Sequence, residues 1–114
     1  SAYPAPVEEL NLNMLQAWSG REELKHVVLG YSGHETGLAT TVVSVALGAS
    51  VIERHITLDR SSVGTDHAGS TEAVGFAKLC RDIKAVTQAL GPAGVFARVV
   101  RNSEMAARKK LRGD

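Results

Sequence analysis

The sequence predicts an α/β protein with parallel strands, and three observations lead to this fold class. Two short apolar segments, residues 27–34 and 49–55, are rich in β-branched residues, and a helix-like stretch precedes each of them. Neither segment alternates between apolar and polar residues, which is typical of strands that are covered on both faces. The order strand, helix, strand is the unit from which parallel sheets are built. We therefore expect the two strands to be neighbours in one sheet.

The first elements in the chain are a helix and a strand. Apolar residues recur at helical spacing after Pro6, and Gly20 is expected to end this helix. The apolar run that follows predicts a strand over residues 26–30. A loop is expected over residues 31–34, because glycine and polar residues interrupt the run there.

A second helix and a second strand come next. Residues 36–47 are small and apolar, so we expect a helix that is buried on most sides, with Gly48 as its C-cap. The second strand is expected over residues 50–55. It leads into a loop over residues 56–70, and loops of this length in compact α/β proteins are usually functional or mobile.

The third helix, over residues 71–90, has the clearest amphipathic pattern and ends at Gly91 and Pro92. A short extended piece is expected over residues 93–100, and a basic, solvated tail follows it. The helix carries one apolar stripe, formed by Phe76, Leu79, Cys80, Ile83, Val86 and Leu90.

Composition limits the partners that the protein is expected to have. The chain has 114 residues and a net charge of +1, so it is at most one domain, and no global field attracts it to nucleic acid or to an anionic membrane. No apolar stretch reaches the roughly 20 residues that a membrane helix needs. The single cysteine, Cys80, cannot form an internal disulfide, which favours a cytoplasmic location.

Two histidines, His34 and His55, close the two apolar segments. Neighbouring parallel strands end at the same edge of a sheet, about 4.8 Å apart, so both imidazoles can point into the crevice where α/β folds place their chemistry. This arrangement predicts a divalent metal site. The alternative is that both histidines only form hydrogen bonds, and spacing alone favours it, because two ligands are fewer than a protein metal site usually needs.

The two predicted strands do not make an independently stable sheet. Both outer edges and much apolar surface remain open in such a sheet. The chain is therefore expected to be a piece of a longer polypeptide, or to complete its sheet with a second copy or a partner.

Five motifs of this chain resemble the sialic acid synthase family, and they lie in order along nearly its whole length. They are Ser1-Ala2-Tyr3-Pro4, Gly30-Tyr31-Ser32-Gly33-His34-Glu35-Thr36-Gly37, Ala46-Leu47-Gly48-Ala49, Glu53-Arg54-His55-Ile56-Thr57-Leu58-Asp59 and Gly64-Thr65-Asp66-His67.

The resemblance implies a fold and a domain organisation. Residues 1–92 are expected to form the C-terminal portion of a (β/α)8 TIM barrel, with barrel strands seven and eight and their flanking helices. Residues 93–114 are expected to be a linker or tail leading to an antifreeze-like domain that this chain lacks. The family's phosphoenolpyruvate-binding lysines lie upstream in the barrel, so this chain alone is expected to be inactive.

The resemblance also implies an activity. Family members condense phosphoenolpyruvate with an N-acetylated hexosamine, such as N-acetylmannosamine or its 6-phosphate, and release phosphate. The expected cofactor is a divalent metal, Mn²⁺ in the first place, with Mg²⁺ or Co²⁺ as alternatives. The full-length protein is expected to be a homodimer.

The family's site residues match six positions of this chain. The resemblance implies that two histidines bind metal, that two serines contact the phosphate region, and that Tyr3 and Asp66 face the sugar as catalytic and substrate-binding residues. The metal-binding positions are His34 and His55. The phosphate-contacting positions are Ser32 and Ser1. Without the resemblance, Ser32 and Asp66 are more simply turn residues.

The sequence departs from the family pattern in the loop around Asp66. Ser62-Val63 stand where an aromatic residue or proline is common, and Ser70-Thr71-Glu72-Ala73 replaces the usual Ser-Leu-Glu-Pro. These differences fall in the loop to which the resemblance assigns sugar binding.

Several alternatives stay open at this point. Glu53 and Arg54 can act behind the metal ligands or form an ion pair that bridges strands. The chain can also be a non-catalytic barrel fragment that self-associates through open sheet edges. A different metal-dependent and phosphate-dependent barrel aldolase is the third possibility.

Overall fold

The computed structural model describes residues 2–94 and 99–113. Short 3-10 turns at Val7–Glu9, Glu22–Leu24, His67–Gly69 and Asn102–Glu104 connect the main elements. The α/β fold class is confirmed. In chain order the helices and strands are α1 (Asn13–Ser19), β1 (Gly30–Gly33), α2 (Ala39–Ala46), β2 (Val51–Arg54), α3 (Ala73–Leu90) and α4 (Met105–Arg112).

The two strands form one parallel sheet, as predicted. Gly30 pairs with Val51, and Ser32 pairs with Glu53. The two strands therefore end side by side, and His34 and His55 each follow directly on a strand end.

The position of β1 differs from the prediction. The strand begins at Gly30 rather than near residue 26, and Val28, in the apolar run before it, is 70% exposed. The ladder begins where the Leu29 carbonyl accepts a hydrogen bond from the Ser50 N–H at 2.8 Å. Pairing with β2, and not local apolar composition, decides where this strand starts.

The two faces of the sheet carry different side chains, because side chains alternate along a strand. Ser32, His34, Glu53 and His55 share one face. Glu35 and Arg54 share the other face, where Arg54 contacts Thr41 of α2.

The helices agree with the sequence pattern at two C-terminal ends but not at their beginnings. Helix α1 begins at Asn13 rather than directly after Pro6, because a 3-10 turn at Val7–Glu9 precedes it, and α2 begins at Ala39 rather than at residue 36. Helix α1 ends at Gly20 and α3 ends at Gly91, both as predicted. Helix α2 packs against α3 and β1, but its outer face is open, so Val43 is 49% exposed. The expectation that this helix is buried on most sides is wrong for the described part of the chain.

The apolar core of the described residues is small. Leu15, Ala49 and Leu79 are its buried apolar residues. In the apolar stripe of α3, Phe76 is 42% exposed, and Cys80 is exposed. Much of the apolar surface of α3 thus has no cover in this part of the molecule.

The C-terminal part of the chain is only partly described. The extended piece predicted over residues 93–100 falls largely on residues 95–98, which lie outside the described residues. The basic tail forms α4. Within the described ranges, no helix combines the length and the apolar character that crossing a bilayer requires.

Gly33 at the end of β1 has no room for a side chain. A Cβ there would lie 2.9 Å from both Arg54 Cδ and Thr41 Oγ1, and 3.0 Å from Glu35 Oε2. We expect Gly33→Ala to destabilise the protein by about 1–3 kcal/mol, the usual cost of overpacking a filled site. Urea unfolding of the full-length protein measures the change in stability. Gly37→Ala is a control for substitution without overpacking, because no atom lies within 4 Å of a Cβ at this position. This control measures only the cost of the positive φ of 95° at Gly37. A Gly33→Ala variant as stable as the wild type would contradict the tight packing at this position.

Candidate active site

Three ring side chains meet at the ends of the two strands. The Tyr3 hydroxyl lies 3.1 Å from His34 Nε2 and 3.5 Å from His55 Nε2. Tyr3 stacks on His34 with ring centroids 4.3 Å apart, and the two imidazole centroids are 5.5 Å apart. The Nε2 atoms of both histidines therefore face a common point, as the sequence predicted for the strand ends.

Backbone hydrogen bonds place these side chains. The Ala5 N–H donates to the His34 carbonyl at 3.0 Å, which holds the N-terminal segment and Tyr3 against the end of β1. The Thr71 N–H donates to the His55 carbonyl at 2.8 Å, which ties the start of α3 to the end of β2. The cluster thus joins segments that are more than 50 residues apart in the sequence.

Glu53 joins the two histidines on this face of the sheet. Its Oε1 atom lies 3.7 Å from His55 Nε2, and one donor atom each from His34, Glu53 and His55 lies within 4.8 Å of the others. From the sequence, Glu53 was expected either to act behind the metal ligands or to form an ion pair that bridges the strands. The signal that places it here is its position two residues before His55, which puts both side chains on one face of a strand.

The donor set fits a divalent metal. Bonds of about 2.0–2.2 Å place two donors of one ion at most about 4.4 Å apart. Shifts of about half an ångström would therefore bring these three donors onto one ion. Two imidazoles and a carboxylate are ligands that first-row divalent metals accept.

Of the other three predicted site residues, two lie beside the histidines and one falls outside the described part of the chain. Ser32 Oγ lies 2.9 Å from His34 Nε2, and Asp66 Oδ2 lies 3.7 Å from His55 Nδ1. Both therefore border the histidines. Ser1, the second predicted phosphate contact, lies outside the described residues.

Negative charge surrounds the Tyr3 hydroxyl. Burial is the largest cause that raises the pKa of Tyr3, and the nearby Asp66 and Glu53 carboxylates raise it further. Tyr3 is therefore held in its neutral form, in which its hydroxyl can donate one hydrogen bond and accept another.

A buried ion pair lies on the opposite face of the same strand ends. Arg54 Nη1 is 3.0 Å from Glu35 Oε1, and the two side chains are 1% and 0% exposed. Arg54 thus forms the ion pair that bridges the strands, which is one of the two alternatives that the sequence left open for this residue. Glu35 belongs to one of the five motifs of the family resemblance, and the sequence alone assigned it no role.

The Glu35 carboxylate is stabilised as an anion. Burial alone would raise its pKa, but hydrogen bonds from Thr40 and Thr41 and the Arg54 guanidinium lower the pKa below its usual value. Tyr31 donates to Glu35 Oε2 at 3.0 Å, and burial, followed by the Glu35 charge, raises the pKa of Tyr31. The pair is therefore charged at neutral pH.

The loop after β2 is held by its own contacts. Thr57 Oγ1 lies 2.7 Å from His67 Nδ1, and Arg60 Nη2 donates to the Ala68 carbonyl at 2.8 Å. His67 therefore serves the loop rather than the cluster. The loop contributes Asp66 to the edge of the site.

The fold and the site define a class: an α/β protein with a cluster of histidine, tyrosine and glutamate side chains at the carboxyl ends of neighbouring parallel strands. The family model described as the NeuB family matches residues 1–94. This chain belongs to the NeuB family, and the resemblance to sialic acid synthases seen in the sequence is confirmed.

Curated relatives and a solved structure are similar to this chain. N-acetylneuraminate-9-phosphate synthase of Homo sapiens is 46% identical over 91 residues, which are 80% of this chain and 25% of that protein. N,N'-diacetyllegionaminic acid synthase of Campylobacter jejuni is 40% identical over 89 residues, 78% of this chain and 26% of that protein. The crystal structure of N-acetylneuraminic acid (sialic acid) synthetase from Leptospira borgpetersenii superimposes with a TM-score of 0.77 at 31% identity, covering 100% of this chain and 39% of that one. The chain spans about a quarter of the length of the curated relatives it matches.

Proposed function

We propose that this chain is the C-terminal portion of the catalytic barrel of a nonulosonic acid synthase. The full-length protein would condense phosphoenolpyruvate with an N-acetylated hexosamine, such as N-acetylmannosamine or its 6-phosphate. One observation carries the proposal: Tyr3, His34 and His55 converge at the shared end of two parallel strands. Membership in a family whose relatives are named as synthases of sialic and legionaminic acids supports it.

The proposed reaction forms one carbon–carbon bond. C3 of phosphoenolpyruvate attacks the aldehyde carbon of the open-chain sugar, water adds at C2, and phosphate leaves. A divalent metal, Mn²⁺ by preference, would supply Lewis-acid polarisation of the aldehyde oxygen when bound. His34 and His55 would hold this ion, and Glu53 offers a third ligand atom.

The remaining residues of the cluster bind and orient the substrates. The neutral Tyr3 hydroxyl faces the sugar and can donate to its oxygens. The Asp66 carboxylate, 49% exposed, can accept hydrogen bonds from two sugar hydroxyls at once. The Ser32 hydroxyl is an additional donor for the phosphate region, and Ser1 is proposed to contact the same region.

The proposal extends to the context of the chain. β1 and β2 would be the seventh and eighth strands of the barrel, and residues 93–114 would lead to a further domain. The full-length protein is proposed to be a cytoplasmic homodimer. Upstream strands of the barrel would then cover the open edges of the present sheet and its exposed apolar side chains.

A test of the proposed function uses the sugar contact that the loop provides. In the full-length protein, Asp66→Asn should raise KM for the amino-sugar acceptor by about 10-fold or more, because hydrogen bonds to a charged group contribute about 1.5–3 kcal/mol. KM for phosphoenolpyruvate should stay unchanged. The assay follows phosphate release and the mass of the product with N-acetylmannosamine and with its 6-phosphate.

Asp59→Asn is the matched control, because Asp59 lies in the same loop and its carboxylate accepts hydrogen bonds from the Ser61 N–H and hydroxyl, within the loop itself. An Asp66→Asn enzyme with unchanged acceptor KM would remove Asp66 from the proposed sugar site. A full-length protein that releases no phosphate with any acceptor would contradict the proposed function. That result would favour the alternative of a non-catalytic barrel fragment that self-associates through the open edges of its two-stranded sheet.

A further inference from the structure

We propose that the buried Glu35–Arg54 pair is a positioning device that sets the distance between the two metal-binding imidazoles. The inference rests on the proposed function, and it adds two residues whose side chains do not point into the site. Glu35 directly follows His34, and Arg54 directly precedes His55. Because neighbouring side chains in a strand point to opposite faces, the pair lies behind the imidazoles on the same two strand ends.

The guanidinium of Arg54 connects four segments. Its Nη1 donates to Glu35 Oε1 at 3.0 Å, to the Gly37 carbonyl at 3.0 Å and to Thr41 Oγ1 at 2.8 Å. Its Nη2 donates to the Glu35 carbonyl at 2.8 Å and to the Gly69 carbonyl at 3.1 Å. One planar group therefore links β2 to the end of β1, to α2 and to the turn that follows Asp66.

The carboxylate of Glu35 is just as firmly held. Thr40 and Thr41 donate to Oε1 at 2.7 and 2.8 Å, and Tyr31 donates to Oε2 at 3.0 Å. Counting backbone and side chain together, Glu35 is 0% exposed and Arg54 is 8% exposed. A charge pair with this many directional contacts has one arrangement, so it fixes the relative position of the residues on either side of it.

Stability alone is a poor reason for this arrangement. The desolvation of two charges offsets much of their attraction, so an apolar pair of similar volume is often as stable. Among the described residues, Arg54 Nε has no hydrogen-bond partner, which adds a further cost. What the pair supplies and an apolar pair lacks is a fixed geometry at the strand ends.

The loop with Asp66 depends on the same group. Gly69 accepts from Arg54, and a Cβ at Gly69 would lie 2.7 Å from the His34 carbonyl oxygen. The turn therefore packs directly on the backbone of a metal-binding residue. Displacement of Arg54 would move His34, His55 and this turn together.

The test measures metal binding to the full-length protein, with Mn²⁺ alone as the probe. The electron paramagnetic resonance signal of free Mn²⁺ gives the Kd, and circular dichroism establishes that each variant is folded at the temperature used. Glu35→Gln keeps the shape of the side chain and removes its charge, whereas Arg54→Lys keeps the charge and removes the fork. Each is expected to weaken Mn²⁺ binding by about 10-fold or more, the usual effect of losing a group that orients a metal ligand.

Leu79→Ala is the matched control for lost stability. Leu79 is 2% exposed and lies in α3, and its apolar side chain takes no part in the hydrogen bonds of the Glu35–Arg54 pair, so its truncation lowers the melting temperature without removing any of them. It should leave the Kd for Mn²⁺ unchanged. Wild-type Mn²⁺ affinity in Glu35→Gln and Arg54→Lys, with only the melting temperature lowered as in Leu79→Ala, overturns the proposal.

Two further variants keep the outcome decisive. If the charge variants do not fold, Thr41→Val replaces them, since it leaves both charges in place and removes the hydroxyl that bridges them. Weaker Mn²⁺ binding in Thr41→Val supports the positioning role, and unchanged binding overturns it. His34→Ala separates the two proposals: if it also binds Mn²⁺ normally, the proposed metal site fails, and if it alone loses Mn²⁺, only the positioning role fails.

Discussion

Replacing His34 by alanine in the full-length protein is expected to weaken Mn²⁺ binding by more than about 100-fold and to remove turnover. The reason is that the imidazole would be one of few protein ligands, and the loss of a ligand costs more than the roughly 10–100-fold lost with an outer partner. His55→Ala should have the same effect, because the Nε2 atoms of both residues face the same point. Calorimetric titration with Mn²⁺ and the phosphate-release assay measure the two effects.

His26→Ala is the matched control for this experiment. His26 is exposed and lies before β1, outside the cluster. It should bind Mn²⁺ and turn over substrate as the wild type does. Metal affinity and turnover that survive both His34→Ala and His55→Ala would refute the assignment of the metal ligands.

Replacing Arg54 by methionine is expected to cause a large loss of stability, about 3–5 kcal/mol in the free energy of unfolding. The substitution leaves the Glu35 carboxylate buried without its cation, and an uncompensated buried charge is costly. Methionine retains much of the apolar length of the arginine side chain, so lost volume contributes little. Chemical denaturation of the full-length protein at neutral pH measures the change.

Lys78→Met provides the comparison. It removes the same kind of charge from an exposed pair, Lys78 with Asp82 on α3, whose side chains are 55% and 28% exposed. Exposed pairs contribute about 0–1 kcal/mol, so this variant should unfold almost as the wild type does. Equal losses in Arg54→Met and Lys78→Met would show that the buried pair has no special weight.

The helix ends were predictable where the sequence contains glycine residues that commonly follow a helix. Gly91 marks the end of α3 with a positive φ of 73°, a conformation that glycine adopts readily, whereas Gly20 caps α1 with an ordinary negative φ of −86°. β1 was misplaced because Val27 and Val28 look like strand residues, although the ladder begins only where the backbone meets β2. Composition is a local property, and hydrogen-bond pairing between strands is not.

The candidate site was predictable in part for a related reason. The order strand, helix, strand determines which ends of two parallel strands lie side by side. The proximity of His34 and His55 was therefore predictable from the sequence. Glu53 and Glu35 were harder to assign, because their roles depend on which face of the strand each occupies. The face of Glu53 follows from its position two residues before His55. The face that Glu35 shares with Arg54 follows from the register of the two strands, which only the paired sheet shows.

The amino-acid sequence by itself determined the alternation of helices and parallel strands, the placement of two histidines after consecutive strands, and membership in a family of synthases. These depend on residue order and short-range periodicity. Only the tertiary structure decided that Arg54 pairs with Glu35 rather than with a group in the site, and that Glu53 lies beside His55. The pairing of Arg54 with Glu35 depends on the burial of charge between packed elements, and burial arises only when distant segments come together. Glu53 is 64% exposed, so its place beside His55 depends on the side-chain arrangement at the strand end instead.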